Sequence, residues 1–172
     1  VSRQELWAIL ERFTAEGIEV NGTEYQFDAI VCATGFAAMT GSFDRIAITG
    51  RGGRTLAEKW RAGPRAYLGV ATAGFPNLFT ITGPGSPSVL ASMIQAIEQR
   101  RGWLADCMAH MRDIGAATIE AAPSYEDEWV EHVNDVSKGT LRSTCSSWYV
   151  GANIPGRTRV FMSSIGGFPI YV

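Results

Sequence analysis

Apolar and polar residues alternate from Ile18 to Val20 and again from Tyr25 to Phe27, on either side of Asn21-Gly22. That dipeptide favours a two-residue hairpin turn, so the pattern predicts a β-hairpin as the first element. The chain then enters Ala29-Ile30-Val31-Cys32-Ala33, a continuous apolar run of the kind found in a strand buried on both faces of a parallel sheet. Ile46-Ala47-Ile48 predicts a short strand, and Gly50-Arg51-Gly52-Gly53 a turn. Thr55-Leu56-Ala57-Glu58 has the spacing of a capping box, which predicts a short helix through Trp60. A further strand-like run, Leu78 to Thr82, ends at Gly83-Pro84-Gly85-Ser86-Pro87.

From Ser88 to Asp113 the apolar residues Leu90, Met93, Ile94, Ile97, Leu104, Cys107, Met108 and Met111 recur at steps of three and four. Gln95, Glu98, Gln99, Arg100 and Asp106 fall largely on the other face, so the spacing predicts a long amphipathic helix. Ser86 suits its N-cap and Pro87 its first position, and Gly115 its end. A second helix is predicted from about Tyr125 to Ser137, with Ser124 as cap, an acidic first turn, and Trp129, Val133 and Val136 on one face. A strand, a Gly/Pro loop and a helix in succession place the chain in the α/β class. In such folds a loop of this kind can present backbone N–H groups and a positive helix end to a cofactor.

At 172 residues the chain has room for one domain, or one and a piece. Seventeen acidic against fifteen basic residues leave a net charge of -2, and the basic residues are scattered. This argues against a nucleic-acid footprint and for a small-molecule partner. Cys32, Cys107 and Cys145 form no C-x-x-C pair and no signal peptide is evident, a usage suited to a reducing, cytoplasmic setting. No apolar run approaches the ~20 residues of a membrane helix. The chain opens at Val1 and stops soon after strand-like Arg159 to Met162 and the turn at Gly166-Gly167, which reads as a piece of a longer protein missing its N-terminal part.

Several chemistries lack their motifs. There is no G-x-S-x-G elbow and no complete G-x-G-x-x-G fingerprint, and His110 and His132 have no carboxylate or Cys partners at metal spacing. No catalytic side chain follows from spacing. Three backbone-rich places remain. Ala33-Thr34-Gly35 is a small-residue strand exit, either plain or at the ligand crevice of an open sheet. Gly83 to Pro87 is a tight turn and helix start, compatible with facing a ligand. Trp148 to Arg157 carries two aromatics, two glycines, a proline and a cation without periodicity. It suits either a loop folded over a ligand or a surface loop pinned by one buried Trp.

Five segments carry a resemblance to a known family. They are Asp28 to Phe36, Gly74 to Phe79, Gly83 to Pro87, Asp127 to Asn134, and Ser147 to Arg157. In this order they are similar to the C-terminal part of the Baeyer–Villiger monooxygenases, flavoproteins that use FAD, NADPH and O2 to insert an oxygen atom beside a ketone. The Ala-Thr-Gly motif by itself is shared with other flavin monooxygenases. The resemblance implies that residues 1–35 end an NADPH-binding domain and carry the crossover, and that 36–172 form the C-terminal part of a Rossmann-like FAD-binding domain. It implies cofactor contacts at Ala33, Thr34, Gly35, Gly83, Pro84, Met93 and Trp148, the last toward NADP, and a ketone pocket shaped by Val89 and Leu90. Ala37 departs from the Asp that many members carry there. The family's glycine-rich fingerprints and catalytic arginine precede Ala33-Thr34-Gly35, so the resemblance assigns no catalytic residue to this chain and implies no turnover by it alone. A flavin monooxygenase acting on soft nitrogen or sulfur, and a non-catalytic α/β binding module, are the alternatives.

Overall fold

The computed structural model describes residues 10–31, 40–87, 92–141, 148–152 and 158–166. The chain divides into two compact units, Val1–Phe36 and Ala37–Val172.

The first unit is built on an antiparallel meander of β1 (Leu10–Phe13), β2 (Gly17–Val20) and β3 (Thr23–Gln26), in that order. Val20 pairs with Thr23, so Asn21 and Gly22 are the two turn residues, with φ of 50° and 71°. Positive φ at both positions gives a turn whose twist matches the flanking strands, and this is why Asn-Gly selects it. Gly17 is required for a different reason: a Cβ there would collide with the Tyr25 carbonyl across the ladder. The expected buried strand at Ala29 to Ala33 is not found where it is described. Residues 29–31 have no regular structure, Val31 is 88% exposed and Ile30 44%. A strand buried on both faces needs neighbouring strands and covering helices, and among the described residues of this unit no strand pairs with it. Cys32 and Ala33 lie outside the described residues.

In the second unit, α1 (Leu56–Lys59) forms on its capping box. The Glu58 N–H donates to Thr55 Oγ1 at 3.2 Å, and the Thr55 N–H donates to Glu58 Oε2 at 2.8 Å. Leu56, Trp60 and Phe75 make a buried cluster joined by Phe43, Ile48 and Leu78. Trp60 satisfies its indole N–H on the Arg65 carbonyl at 2.8 Å. The runs Ile46–Ile48 and Leu78–Thr82 are not strands; pairing near them is confined to single bridges, Thr49 with Thr55 and Ala71 with Phe79. Of their apolar side chains Ile48 and Leu78 pack on the core cluster, whereas Ile46 and Ile81 are exposed.

Ser86–Pro87 is a short strand, β4, paired in parallel with β5 (Ser163–Ser164). This pairing displaces the expected helix start. α2 (Met93–Asp113) is capped by Ser92, whose Oγ accepts from the Gln95 N–H at 3.4 Å, and not by Ser86. Its C-terminus closes as expected at Gly115, φ 66°, where the Gly115 and Ala116 N–H groups return to the carbonyls of Arg112 and Met111. That is the double bond pattern of a glycine-terminated helix. α3 (Pro123–Lys138) has Ala122 at the N-cap and Pro123 at its first position, in place of the expected Ser124 cap. Proline's fixed φ and missing N–H suit that position.

The buried face of α2 is Ala96, Arg100 and Leu104, whereas Ile94 is 73% exposed and Ile97 and Met108 are also exposed. Of the apolar stripe expected to be core, Leu104 is buried and Cys107 and Met111 are partly buried, whereas Met93, Ile94, Ile97 and Met108 face outward in this unit. Arg100 turns inward because its guanidinium Nη1 donates to the Ile81 carbonyl at 2.6 Å, while its stem packs as apolar surface. No helix among the described residues is long and apolar enough to cross a membrane.

Candidate cofactor-facing site

The loop Gly83 to Pro87 is held from several directions. The Gly83 N–H donates to the Gly69 carbonyl at 3.0 Å, the Gly85 N–H to Met162 at 3.1 Å, and the Ser86 N–H to Gly83 at 3.1 Å. These donors are all used within the chain, so the expected presentation of free N–H groups to an anionic cofactor does not hold for them. The glycines serve close packing. Gly85 has φ of 81°, and a Cβ on it would stand 2.9 Å from Trp129 Nε1. Gly83 and Pro84 are buried. Ser86 Oγ is buried with no hydrogen-bond partner among the described residues.

Across from the loop, Trp129 of α3 donates its indole N–H to the Gly85 carbonyl at 3.1 Å. It packs on a cluster of Val133, Val150 and Phe161. The gap that Trp129 shares with Pro84 and Phe161 holds only about 10 Å³, at the lower limit for one water.

Trp148 opens a three-residue helical turn, Trp148–Val150. Its ring is 39% exposed and stacks on Tyr149 with centroids 3.9 Å apart, and Tyr149 in turn lies parallel to Phe161 at 6.5 Å. Val150, 5% exposed, is the buried anchor of this segment. The picture of a loop pinned by a buried Trp148 is thereby overturned, since Trp148 is partly exposed. Met93, the first residue of α2, is likewise exposed. Ala33, Thr34, Gly35, Val89 and Leu90 lie outside the described residues. His110 and His132 are exposed, and the His132 ring sits 5.3 Å from that of Trp129.

Sequence reasoning missed Glu126. It is 1% exposed on α3 and accepts from Lys59 Nζ at 2.7 Å and from the Ala73 N–H at 3.0 Å, with Arg65 Nε at 3.1 Å. Arg65 also pairs with Asp127. A signal was present: Glu126 lies three residues before Trp129 and seven before Val133, within the buried stripe of the helix. Counting it only as a favourable first-turn acid concealed that position.

No protein-family model matches the chain. Individual proteins do. The acetone monooxygenase (methyl acetate-forming) of Gordonia sp. (strain TY-5) is 38% identical over 94% of this chain and 31% of its own length. A Baeyer–Villiger monooxygenase of Pseudooceanicola batsensis is 34% identical over 94% of this chain and 30% of its own length. The phenazine N-monooxygenase of Lysobacter antibioticus has the same values, 34%, 94% and 30%. Among solved structures, an oxidized steroid monooxygenase bound to NADP superposes with a TM-score of 0.78 at 47% identity, over 96% of this chain and 31% of that one. The OTEMO complex with FAD and NADP superposes at 0.83 and 32% identity, over 96% and 31%. The chain spans about 30% of the length of the curated relatives it matches. With this identity sustained along nearly its whole length, the α/β chain is a homologue of the Baeyer–Villiger monooxygenases, corresponding to a part of each.

Proposed function

We propose that this chain is the C-terminal part of an FAD- and NADPH-dependent monooxygenase that converts ketones to esters or lactones. The observation that carries the reading is similarity over 94% of the chain to proteins named as ketone or Baeyer–Villiger monooxygenases, together with a structural neighbour holding FAD and NADP. The overall reaction consumes ketone, O2, NADPH and a proton and releases ester, water and NADP+. When bound, FAD supplies the activation of O2 and NADPH the electrons.

The chain's own share is to bind and orient. Residues 1–35 would close an NADPH-binding domain and 36–172 contribute to the FAD-binding domain, with Ala33, Thr34 and Gly35 at the crossover. The exposed apolar residues Ile94, Ile97 and Met108 on α2 suit burial against the N-terminal part of the full-length protein. Gly83 and Pro84 shape the cofactor loop through packing, since both are buried and the Gly83 N–H and carbonyl are bonded within the chain. Met93 and Trp148 are partly exposed and able to touch cofactor, and the indole of Trp148 suits a flat ring. Val89 and Leu90 are assigned to the ketone pocket by resemblance, and the setting is cytoplasmic.

The test is a product assay on the full-length protein with NADPH and 18O2. One labelled oxygen in an ester or lactone is expected. Label found only in nitrogen or sulfur oxides would move the assignment to the second reading, which the similarity to a phenazine N-monooxygenase favours. A flavin-free, inert full-length protein would leave the binding-module reading.

A further inference from the structure

We propose that Trp129 is a positioning residue, setting the Gly83–Pro87 loop against α3 and through that loop the fit of the flavin. The inference rests on the flavin reading above. Its indole N–H meets the Gly85 carbonyl at 3.1 Å, and the same nitrogen stands where a Gly85 side chain would have to go. The contact is therefore a hydrogen bond at a separation that only a residue without a Cβ permits, so helix and loop are matched at this one point. Gly85 keeps φ at 81°, a conformation that glycine tolerates and that aims its carbonyl at the indole.

The indole is itself firmly placed. One turn earlier on α3, Glu126 is tied to Lys59, Arg65 and the Ala73 N–H. On its other side Trp129 packs on Val133, Val150 and Phe161. The loop has independent restraints as well: Gly83 to Gly69, Gly85 to Met162, and the ladder of Ser86–Pro87 with Ser163–Ser164. Loss of the indole N–H should leave the loop folded and shift it.

The experiment uses the full-length protein with Trp129→Phe, which keeps an aromatic ring and removes the N–H. We expect FAD to be held more weakly, by up to about fivefold, the ceiling set by one neutral hydrogen bond. The flavin visible band should shift, while the apoprotein melts within about 2–4 °C of the parent. Unchanged FAD affinity, whatever the melting temperature, overturns the proposal and leaves Trp129 a packing residue. Where Trp129→Phe lowers both quantities, the double variant with Gly85→Ala decides. A combined loss of FAD affinity smaller than the two single losses together supports coupling through this contact, and strict additivity overturns it. A wild-type protein that takes up no flavin defeats the flavin reading and this inference with it. A flavin-replete wild type with a silent Trp129→Phe defeats this inference alone.

Discussion

Lys59 at the end of α1 and Glu126 on α3 meet at 2.7 Å, with the carboxylate 1% and the lysine 13% exposed. The pair joins two helices 67 residues apart in sequence, and Glu126 also receives Arg65 and the Ala73 N–H. A buried carboxylate is tolerable only with such partners, because each ion removed from water loses several kcal/mol of hydration. The cluster acts as a clamp between the Leu56–Trp60 side of the unit and α3.

Glu126→Gln leaves two cations facing a neutral amide. Breaking one partner of a buried pair typically costs ~3–5 kcal/mol. Lys59→Met should cost less, since Arg65 still balances the carboxylate and Lys59 is the more exposed partner. Urea denaturation of the two variants checks the order; a milder effect for Glu126→Gln would contradict the clamp.

The capping box of α1 gives a pH dependence. Hydrogen bonds from the Thr55 backbone N–H and hydroxyl hold the Glu58 carboxyl below its ordinary range, with Arg61 and Arg54 contributing. A depressed folded pKa means the stabilisation is complete above the unfolded carboxylate value of ~4.3 and is lost as pH falls through the lower folded value. Melts of wild type and Glu58→Gln should differ at neutral pH and converge in acid. A gap that widens on acidification would reverse the sign.

Trp148→Ala in the full-length protein should raise the KM for NADPH several-fold and leave FAD retention intact. The indole ring and its N–H are each worth roughly 1 kcal/mol to a bound ring. Because the ring is 39% exposed and Val150 anchors the segment, stability should change little. Lost FAD with an unchanged KM for NADPH would assign Trp148 to the flavin side.

Leu90→Ala should admit bulkier ketones, since a change of one or two methylenes shifts discrimination by ~1–3 kcal/mol. A ketone panel run beside thermal melts separates this from a core role. An unchanged substrate ranking with ~2–5 kcal/mol of lost stability would place Leu90 in the interior.

The isolated 172-residue chain should show no NADPH oxidation above a blank. On the proposed reading it would hold only part of a two-cofactor site and lose positioning, which can supply ~7–11 kcal/mol of a barrier. Turnover by the purified chain would refute the proposal that the remaining part is needed.

The features legible in the sequence were those decided within a few residues. Asn21-Gly22 sets two positive φ angles, Thr55 and Glu58 satisfy each other across one helical turn, and Gly115 ends α2. The five ordered segments likewise carried the family without any geometry. Tertiary structure alone decided which face of α2 is buried, that Ser86 pairs with β5 instead of capping a helix, that the Gly83–Pro87 N–H groups are consumed internally, and which partners meet Glu126 in the interior. Propensity and capping depend on torsions and on partners one turn away. Burial and donor satisfaction depend on what lies across the fold, and for Gly85 and Glu126 those partners stand 44 and 53 residues away along the chain.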